Sequence, residues 1–287
     1  MTTLPKRAKH VLRRWLPPIV HDGLRALIRP APPEVRREGI REFECLGLKW
    51  RLDMRSSIAA QMMTAGVWER DTTNLILDFV KPGMQVLSVG ANFGYYALLM
   101  ARKVGANGHV WAFEPTKYYR DQLLWHIENN AFSKRITVVP YGLSDKAIQT
   151  MIDISPQSAS MHFAPDEICL DKETIKLDLL DNVAKDLGID RIDFVSVDID
   201  GHEAAFLRGA KVTLGRDLPP ISMEFAQECL HFAGSDVREL ACILRDLGYQ
   251  ICSERTRSPY PDELAFLKEC GNFSHYANAL ATPRDKY

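Results

Sequence analysis

The sequence predicts an α/β protein: a doubly wound, mostly parallel sheet with an antiparallel edge strand and an N-terminal extension. Three observations carry this. Gln85 to Tyr96 reads as a short buried strand (Val86, Leu87, Val89), a glycine turn from Gly90 to Gly94, and the start of a helix. Apolar strand runs then alternate with helical patterns in βα units of similar length. Acidic residues follow the strands, where open α/β sheets collect their ligands.

At 287 residues the chain accommodates one large α/β domain and an appendage. A net charge of −1 gives no pointer to nucleic acid. The charge is unevenly spread: Met1 to Arg41 hold Lys6, Arg7, Lys9, Arg13, Arg14, Arg25, Arg29, Arg36, Arg37 and Arg41 against Asp22, Glu34 and Glu38. The cysteines are scattered without a C-x-x-C pair, which suits reduced, mostly buried thiols in a cytoplasmic enzyme. No apolar stretch approaches the length of a membrane span, and the start lacks the apolar core of a secretion signal.

The chain divides into residues 1–33, 34–80 and 81–287. In the first part Val11, Leu12, Trp15, Leu16, Ile19 and Val20 recur at helical spacing among basic residues, interrupted by Pro17 and Pro18. Such a basic amphipathic extension, over residues 1–29, can touch the inner face of an anionic membrane or pack on protein. Arg29-Pro-Ala-Pro-Pro33 reads as a linker. Glu42 to Leu52 alternates like a strand or hairpin, and Ser56 to Thr64 reads as a helix. Asp71 to Val80 is a second helix with Asp71 as its N-cap, ended by Lys81-Pro-Gly83. Later strands are expected at His109–Phe113, Ile136–Val139, Phe194–Val197 and Ile221–Phe225, with extra ones at Met151–Ile154 and Thr174–Leu177. Helices are expected at Lys117–Asn130, His202–Leu214 and Asp236–Leu247, the last ended by Gly248. Gln250–Ser253 and Ala277–Ala281 follow one another without a full crossover helix, so an antiparallel edge strand belongs there.

The strand ends carry the chemistry. After the first core strand come Gly90, Asn92 and Gly94, whose spacing is G-x-x-x-G and not the G-x-G-x-x-G of a dinucleotide site. After the second comes Glu114, placed to accept both hydroxyls of a ribose; after the third, Ser144 and Asp145. After the fourth come Asp198, Asp200, Gly201, His202 and Glu203, and after the fifth Glu224.

These residues resemble the FkbM family of S-adenosylmethionine-dependent methyltransferases, within the class I Rossmann-like group. The matching stretches are Ser88-Val-Gly-Ala-Asn-Phe-Gly-Tyr-Tyr96, Ala112-Phe-Glu-Pro115, Gly142-Leu-Ser-Asp145, Val197-Asp-Ile-Asp-Gly-His-Glu203, Leu207-Arg-Gly-Ala210 and Met223-Glu-Phe225. The resemblance implies S-adenosyl-L-methionine as cofactor. It puts the Gly90 to Gly94 loop under its methionine part, Glu114 on the ribose, Asp145 near the adenine amino group, and Asp198 beside the methyl. Trp68-Glu69 falls where the family has an aromatic-Glu pair, so Glu69 is expected to line the site. Ser88 stands where the family usually has Asp, removing one carboxylate near the cofactor's amino group.

Methyl transfer from a sulfonium needs alignment and water exclusion, and an alcohol acceptor must also lose a proton. Asp198, Asp200, His202 and Glu224 are the candidates for that task. Asp198-x-Asp200 could hold Mg²⁺, but no third ligand is identifiable and no metal is expected. The expected activity is O-methylation of a hydroxyl on a small-molecule, sugar or glycan acceptor. The competing readings are a nucleotide-sugar or NAD enzyme on the same sheet, and a non-catalytic membrane adaptor.

Overall fold

The structure is a computed structural model that describes residues 39–161, 169–262, 265–266, 268 and 277–284. The amphipathic extension, the Pro-rich linker and His162 lie outside the described residues. Among the described residues, thirteen strands form three sheets.

The chain enters through a hairpin of β1 (Ile40–Cys45) and β2 (Leu48–Asp53), joined by Leu46 and Gly47, both at positive φ. That two-residue turn matches the twist of the strands. Leu48, Trp50 and Leu52 alternate inward, and Trp50 is fully buried. Helix α1 (Ser57–Ala65) is capped by the Ser56 side chain and ends at Gly66 in the left-handed region. Helix α2 runs Arg70–Phe79, and its N-cap is Glu69, not Asp71, which lies inside the first turn. The Glu69 side chain does not cap; it is turned toward other partners, described below. Hairpin and helices belong to the same compact unit as the sheet.

The central sheet has seven strands in the order β12-β13-β11-β10-β3-β4-β5. Here β3 is Gln85–Val89, β4 His109–Phe113, β5 Ile136–Val139, β10 Phe194–Val197, β11 Ile221–Phe225, β12 Tyr249–Ser253 and β13 Ala277–Pro283. Strand β3 pairs in parallel with β4 on one side and β10 on the other, so strand order reverses at β3. The reversal opens a crevice beyond Val89 and Val197. One strand is antiparallel, β13, paired with β11 and β12. It is one strand in from the edge; the edge itself is β12, correcting the expectation of an antiparallel edge.

Helices α3 (Tyr95–Val104) and α4 (Lys117–Asn129) follow β3 and β4. The single helix expected at His202–Leu214 is two, α6 (Glu203–Arg208) and α7 (Lys211–Asp217). They break at Gly209, where a Cβ would stand 2.0 Å from the Ser144 carbonyl oxygen. Three further helices are α5 (Leu180–Leu187), α8 (Gln227–Phe232) and α9 (Val237–Asp246); α5 and α8 were not anticipated. The extra strands join into a separate sheet, β6-β9-β7-β8: β6 Gly142–Leu143, β7 Ile148–Ile154, β8 Ala159–Ser160 and β9 Asp171–Asp178. The described cysteines are free thiols: Cys45 and Cys252 are buried, Cys229 and Cys242 half-buried, and Cys169 exposed.

Candidate active site

The crevice at the reversal point opens into a cleft of about 710 Å³, counting the space open at its mouth. That is the size range of small-molecule sites. One wall is apolar: Phe113, Pro115, Leu143, Ile152, Ile175 and Leu177, the last four from the small sheet. The other brings together Gly90, Asn92, Glu114, Asp198, Asp200 and His202, all candidates from the sequence. Gly94, Glu69, Ser144, Asp145 and Glu224 do not line this cleft.

Gly90 has φ +76°, and a Cβ on it would fall 1.9 Å from the Asp198 carbonyl oxygen. The glycine is therefore required by the neighbouring strand end, independently of any ligand. The Gly90 and Ala91 N–H groups both donate to the Phe113 carbonyl (3.1 and 2.8 Å), folding the turn onto β4. Asn92, at φ +51°, donates its backbone N–H to Glu114 Oε2 (2.8 Å) and its side-chain amide to the Gln157 carbonyl (2.9 Å). Glu114 Oε1 accepts from the Thr116 N–H (2.9 Å) and hydroxyl (2.6 Å). Glu114 is 4% exposed, and burial pushes its pKa up while these bonds oppose the shift. The β7–β8 loop is held at the rim by Asn92 and by Tyr119, whose hydroxyl donates to the Ser155 carbonyl (2.6 Å).

Gly94 begins α3 at φ +102°, where Leu123 and Leu98 leave no room for a Cβ. Its role is packing α3 on α4. Ser144 is buried, its N–H donated to the Asp178 carbonyl (2.9 Å). Asp145 pairs with Arg208 (2.7 Å), which also pairs with Glu239 (2.7 Å). The structure thus does not bring Asp145 to the cleft: its carboxylate ties the end of β6 to α6 and α9.

Behind the glycine loop stands His126, fully buried on α4. Its Nε2 accepts from the Arg51 N–H (2.9 Å), so Nδ1 carries the proton and donates to the Phe93 carbonyl (2.8 Å). One imidazole therefore joins the hairpin to the loop. Burial depresses its pKa to about 4.

The far end of the crevice is acidic. Asp198 is solvent-accessible through the opening, yet protein closes around its other sides. That enclosure raises its pKa well above the usual carboxylate range, reinforced by the charges of Asp200 and Glu69. Glu224 is raised likewise, by burial first and then by Asp198, Glu203, Asp200 and Glu69. Glu69 Oε2 accepts from the Tyr96 hydroxyl (2.7 Å) and from the Asn278 amide (3.0 Å), and burial raises its pKa. Asn92 and Asp200, which line the cleft, are two of the seven non-glycine residues at positive φ among the described residues.

Glu203 is the functional candidate that sequence reasoning left without a role. It is 1% exposed; Oε1 accepts from the Ile199 N–H (3.1 Å), and Oε2 is buried with no partner. Burial lifts its pKa to about 7. An acid in the first turn of a helix ordinarily reads as complementing the helix dipole, which masked it. Among the described residues, no group of three or more His, Cys, Asp and Glu is arranged to hold a metal ion.

A parallel sheet with its strand order reversed at a glycine turn, an apolar wall, a buried carboxylate beside the turn and acids at the far end fit a ligand with a flat ring, hydroxyls and a cationic centre. This is the class I Rossmann-like, S-adenosylmethionine-dependent methyltransferase arrangement. Residues 88–251, more than half the chain, match the sequence model of the methyltransferase FkbM domain, and the chain belongs to the FkbM methyltransferase family. S-adenosylmethionine is its cofactor. The chain is 28% identical over 181 residues to the hexuronic acid methyltransferase AglP of Haloferax volcanii, across 62% of this chain and 68% of that protein. It is similar to the solved methyltransferase FkbM of Methylobacillus flagellatus (19% identity, TM-score 0.43), covering 70% of this chain and 43% of that one. It is also similar to Aeropyrum pernix fibrillarin with natively bound S-adenosyl-L-methionine (18% identity, TM-score 0.43, 88% and 85% covered).

Proposed function

We propose that this methyltransferase acts on a hydroxyl oxygen of a sugar, glycan or other natural-product acceptor. The observation that carries the reading is the division of one crevice: a hydrogen-bonded glycine loop with Glu114 at one end, and at the other Asp198, of raised pKa and next in register to Glu224. When bound, S-adenosylmethionine supplies an electrophilic methyl group on a sulfonium. Gly90 and Asn92 form the backbone cradle, and Glu114 has lone-pair capacity left for ribose hydroxyls beyond its three internal bonds. The apolar wall suits the purine and excludes water. Glu69 and Asp198 provide negative charge for the cofactor's cationic groups in place of the carboxylate missing at Ser88.

An alcohol must lose its proton as its oxygen is alkylated, and a carboxylate whose pKa is raised above its ordinary range is a stronger base. Asp198 and Glu224 meet that condition; Asp200 and His202 line the cleft beside them. Asp198→Asn and Glu224→Gln variants should separate them: the base is the one whose loss cuts the single-turnover rate at saturating cofactor roughly 10²–10⁴-fold. The reading itself is tested by ligand stabilisation. S-adenosylhomocysteine at about a hundred times its Kd should add roughly 2.7 kcal/mol to unfolding, and NAD nothing. Stabilisation by NAD alone would sink it.

No helix among the described residues is long and apolar enough to cross a membrane. The cytoplasmic setting and the membrane contact through residues 1–29 are part of this proposal; absence of sedimentation with anionic liposomes at low salt would remove the contact.

A further inference from the structure

Resting on that reading, we propose a charge rule for the acceptor: its reacting hydroxyl has no anionic group beside it, and a neighbouring protonated amine favours it. The argument starts from strand register. Val89 pairs with Val197 and Val197 with Met223, so Gly90, Asp198 and Glu224 stand in the next row at adjacent strand tips. Glu224 pairs in turn with Asn278, whose side-chain amide donates to Glu69. Tyr96, from the first turn of α3, donates to the same Glu69 oxygen. Three carboxyl side chains, Glu69, Asp198 and Glu224, are thereby gathered near the strand tips, and Asp198 is the one of them that lines the cleft.

A fourth lies behind them. Glu203 begins α6, and its Oε1 holds the N–H of Ile199, the residue after Asp198. Its Oε2 has no partner and no exposure. Burial raises the pKa of each of the four, and neighbouring charge adds to it: Asp200 and Glu69 act on Asp198, Asp198 acts on Glu203, and Asp198, Glu203, Asp200 and Glu69 act on Glu224.

No lysine or arginine stands among the described residues lining the cleft. A carboxylate or phosphate entering beside Asp198 and Asp200 would lose water and meet like charge with no lysine or arginine of the described lining to offset it, whereas an ammonium group would meet carboxyl acceptors. The Haloferax relative is named for hexuronic acid; the rule separates this chain from an anionic acceptor of that kind.

The test uses the full chain with labelled S-adenosylmethionine and three matched monosaccharides: glucosamine, glucose and glucuronate. Incorporation should fall in that order, by at least about tenfold from first to last, because like-charge juxtaposition discriminates strongly. Glucuronate matching or exceeding glucosamine overturns the rule. In parallel, labelled products formed in cell extract are passed over ion exchangers at neutral pH. Label that stays off the anion exchanger supports the rule, and label held on it overturns it. Calorimetry with S-adenosylhomocysteine tells the two layers apart: no binding defeats the underlying reading, while binding with an anionic acceptor preferred defeats only the charge rule. A Glu69→Gln/Glu224→Gln double variant should narrow the glucosamine-to-glucuronate ratio, and an unchanged ratio in a folded variant also overturns the rule.

Discussion

The two ends of the crevice are built on opposite principles. At the glycine-loop end nearly every polar group has its partner. Glu114 takes three hydrogen bonds, Asn92 ties the loop to the β7–β8 segment, and His126 holds the loop from behind. At the β10–β11 end acids crowd together, Glu203 Oε2 has no partner, and pKa values are raised. A satisfied network fixes geometry, and a fixed geometry is what binding one invariant cofactor requires. Unsatisfied acidity costs stability, and it is tolerated where charge must be handled during a reaction.

The largest effect should come at the junction of the two ends. Gly90→Val drives a side chain into the Asp198 carbonyl from a left-handed backbone. It should cost roughly 3 kcal/mol or more in urea unfolding and abolish S-adenosylhomocysteine binding. A stable variant that binds normally would mean the two strand ends are not held as described.

Next is the support behind the satisfied end. His126 is neutral in the fold, with a pKa of about 4 against an ordinary value of 6.5. A depressed value means its contribution is complete above pH 6.5 and lost as pH falls toward 4. The loss should approach about 3 kcal/mol. Denaturant midpoints at pH 7 and pH 4.5 measure it, and a His126→Phe variant should show a flatter acid limb. An equal slope in both would discharge His126 from this role.

Within the satisfied end itself, Glu114→Ala should weaken S-adenosylmethionine binding by about 1.5–3 kcal/mol. Unchanged affinity by calorimetry, with the fold intact, would remove the ribose assignment.

The smallest effect belongs to the acidic end. Glu203 has a folded pKa near 7, above its ordinary value of 4.5, so its share of stability is complete below 4.5 and lost as pH rises through 7. Glu203→Gln keeps an acceptor for the Ile199 N–H and removes the charge. It should recover about 1–2 kcal/mol at pH 8, less than the full shift because the amide brings unpartnered donors. Identical pH profiles for wild type and variant would contradict a buried acid that titrates near neutrality.

The core strands and their tips were legible in the sequence because buried parallel strands leave unmistakable apolar runs, and Gly90 marks a backbone only glycine tolerates. The acids after β10 and β11 could be read from position alone. Pairing between distant segments could not. Nothing local shows that Asp145 would be taken by Arg208, or that β13 would enter between β11 and β12. The break between α6 and α7 arises from the Ser144 carbonyl pressing on Gly209, a contact made across 65 residues, counting from 144 to 209. The small sheet was only partly visible, since β7 and β9 bury few of their residues and give weak alternation.

The position of β13 also orders how the chain comes together. Strand β12 has no neighbour in the central sheet except β13, and Ile221 of β11 waits for Ala281 of the same strand. Until Ala277–Pro283 arrives, β11 and β12 each offer an open row of unpaired amides and carbonyls to solvent. Such late, distant pairing slows assembly and leaves sticky edges exposed in the interim. A chain interrupted before Ala277 would therefore keep its Gly90 loop and Glu114, yet expose two unpaired strands to any neighbouring copy.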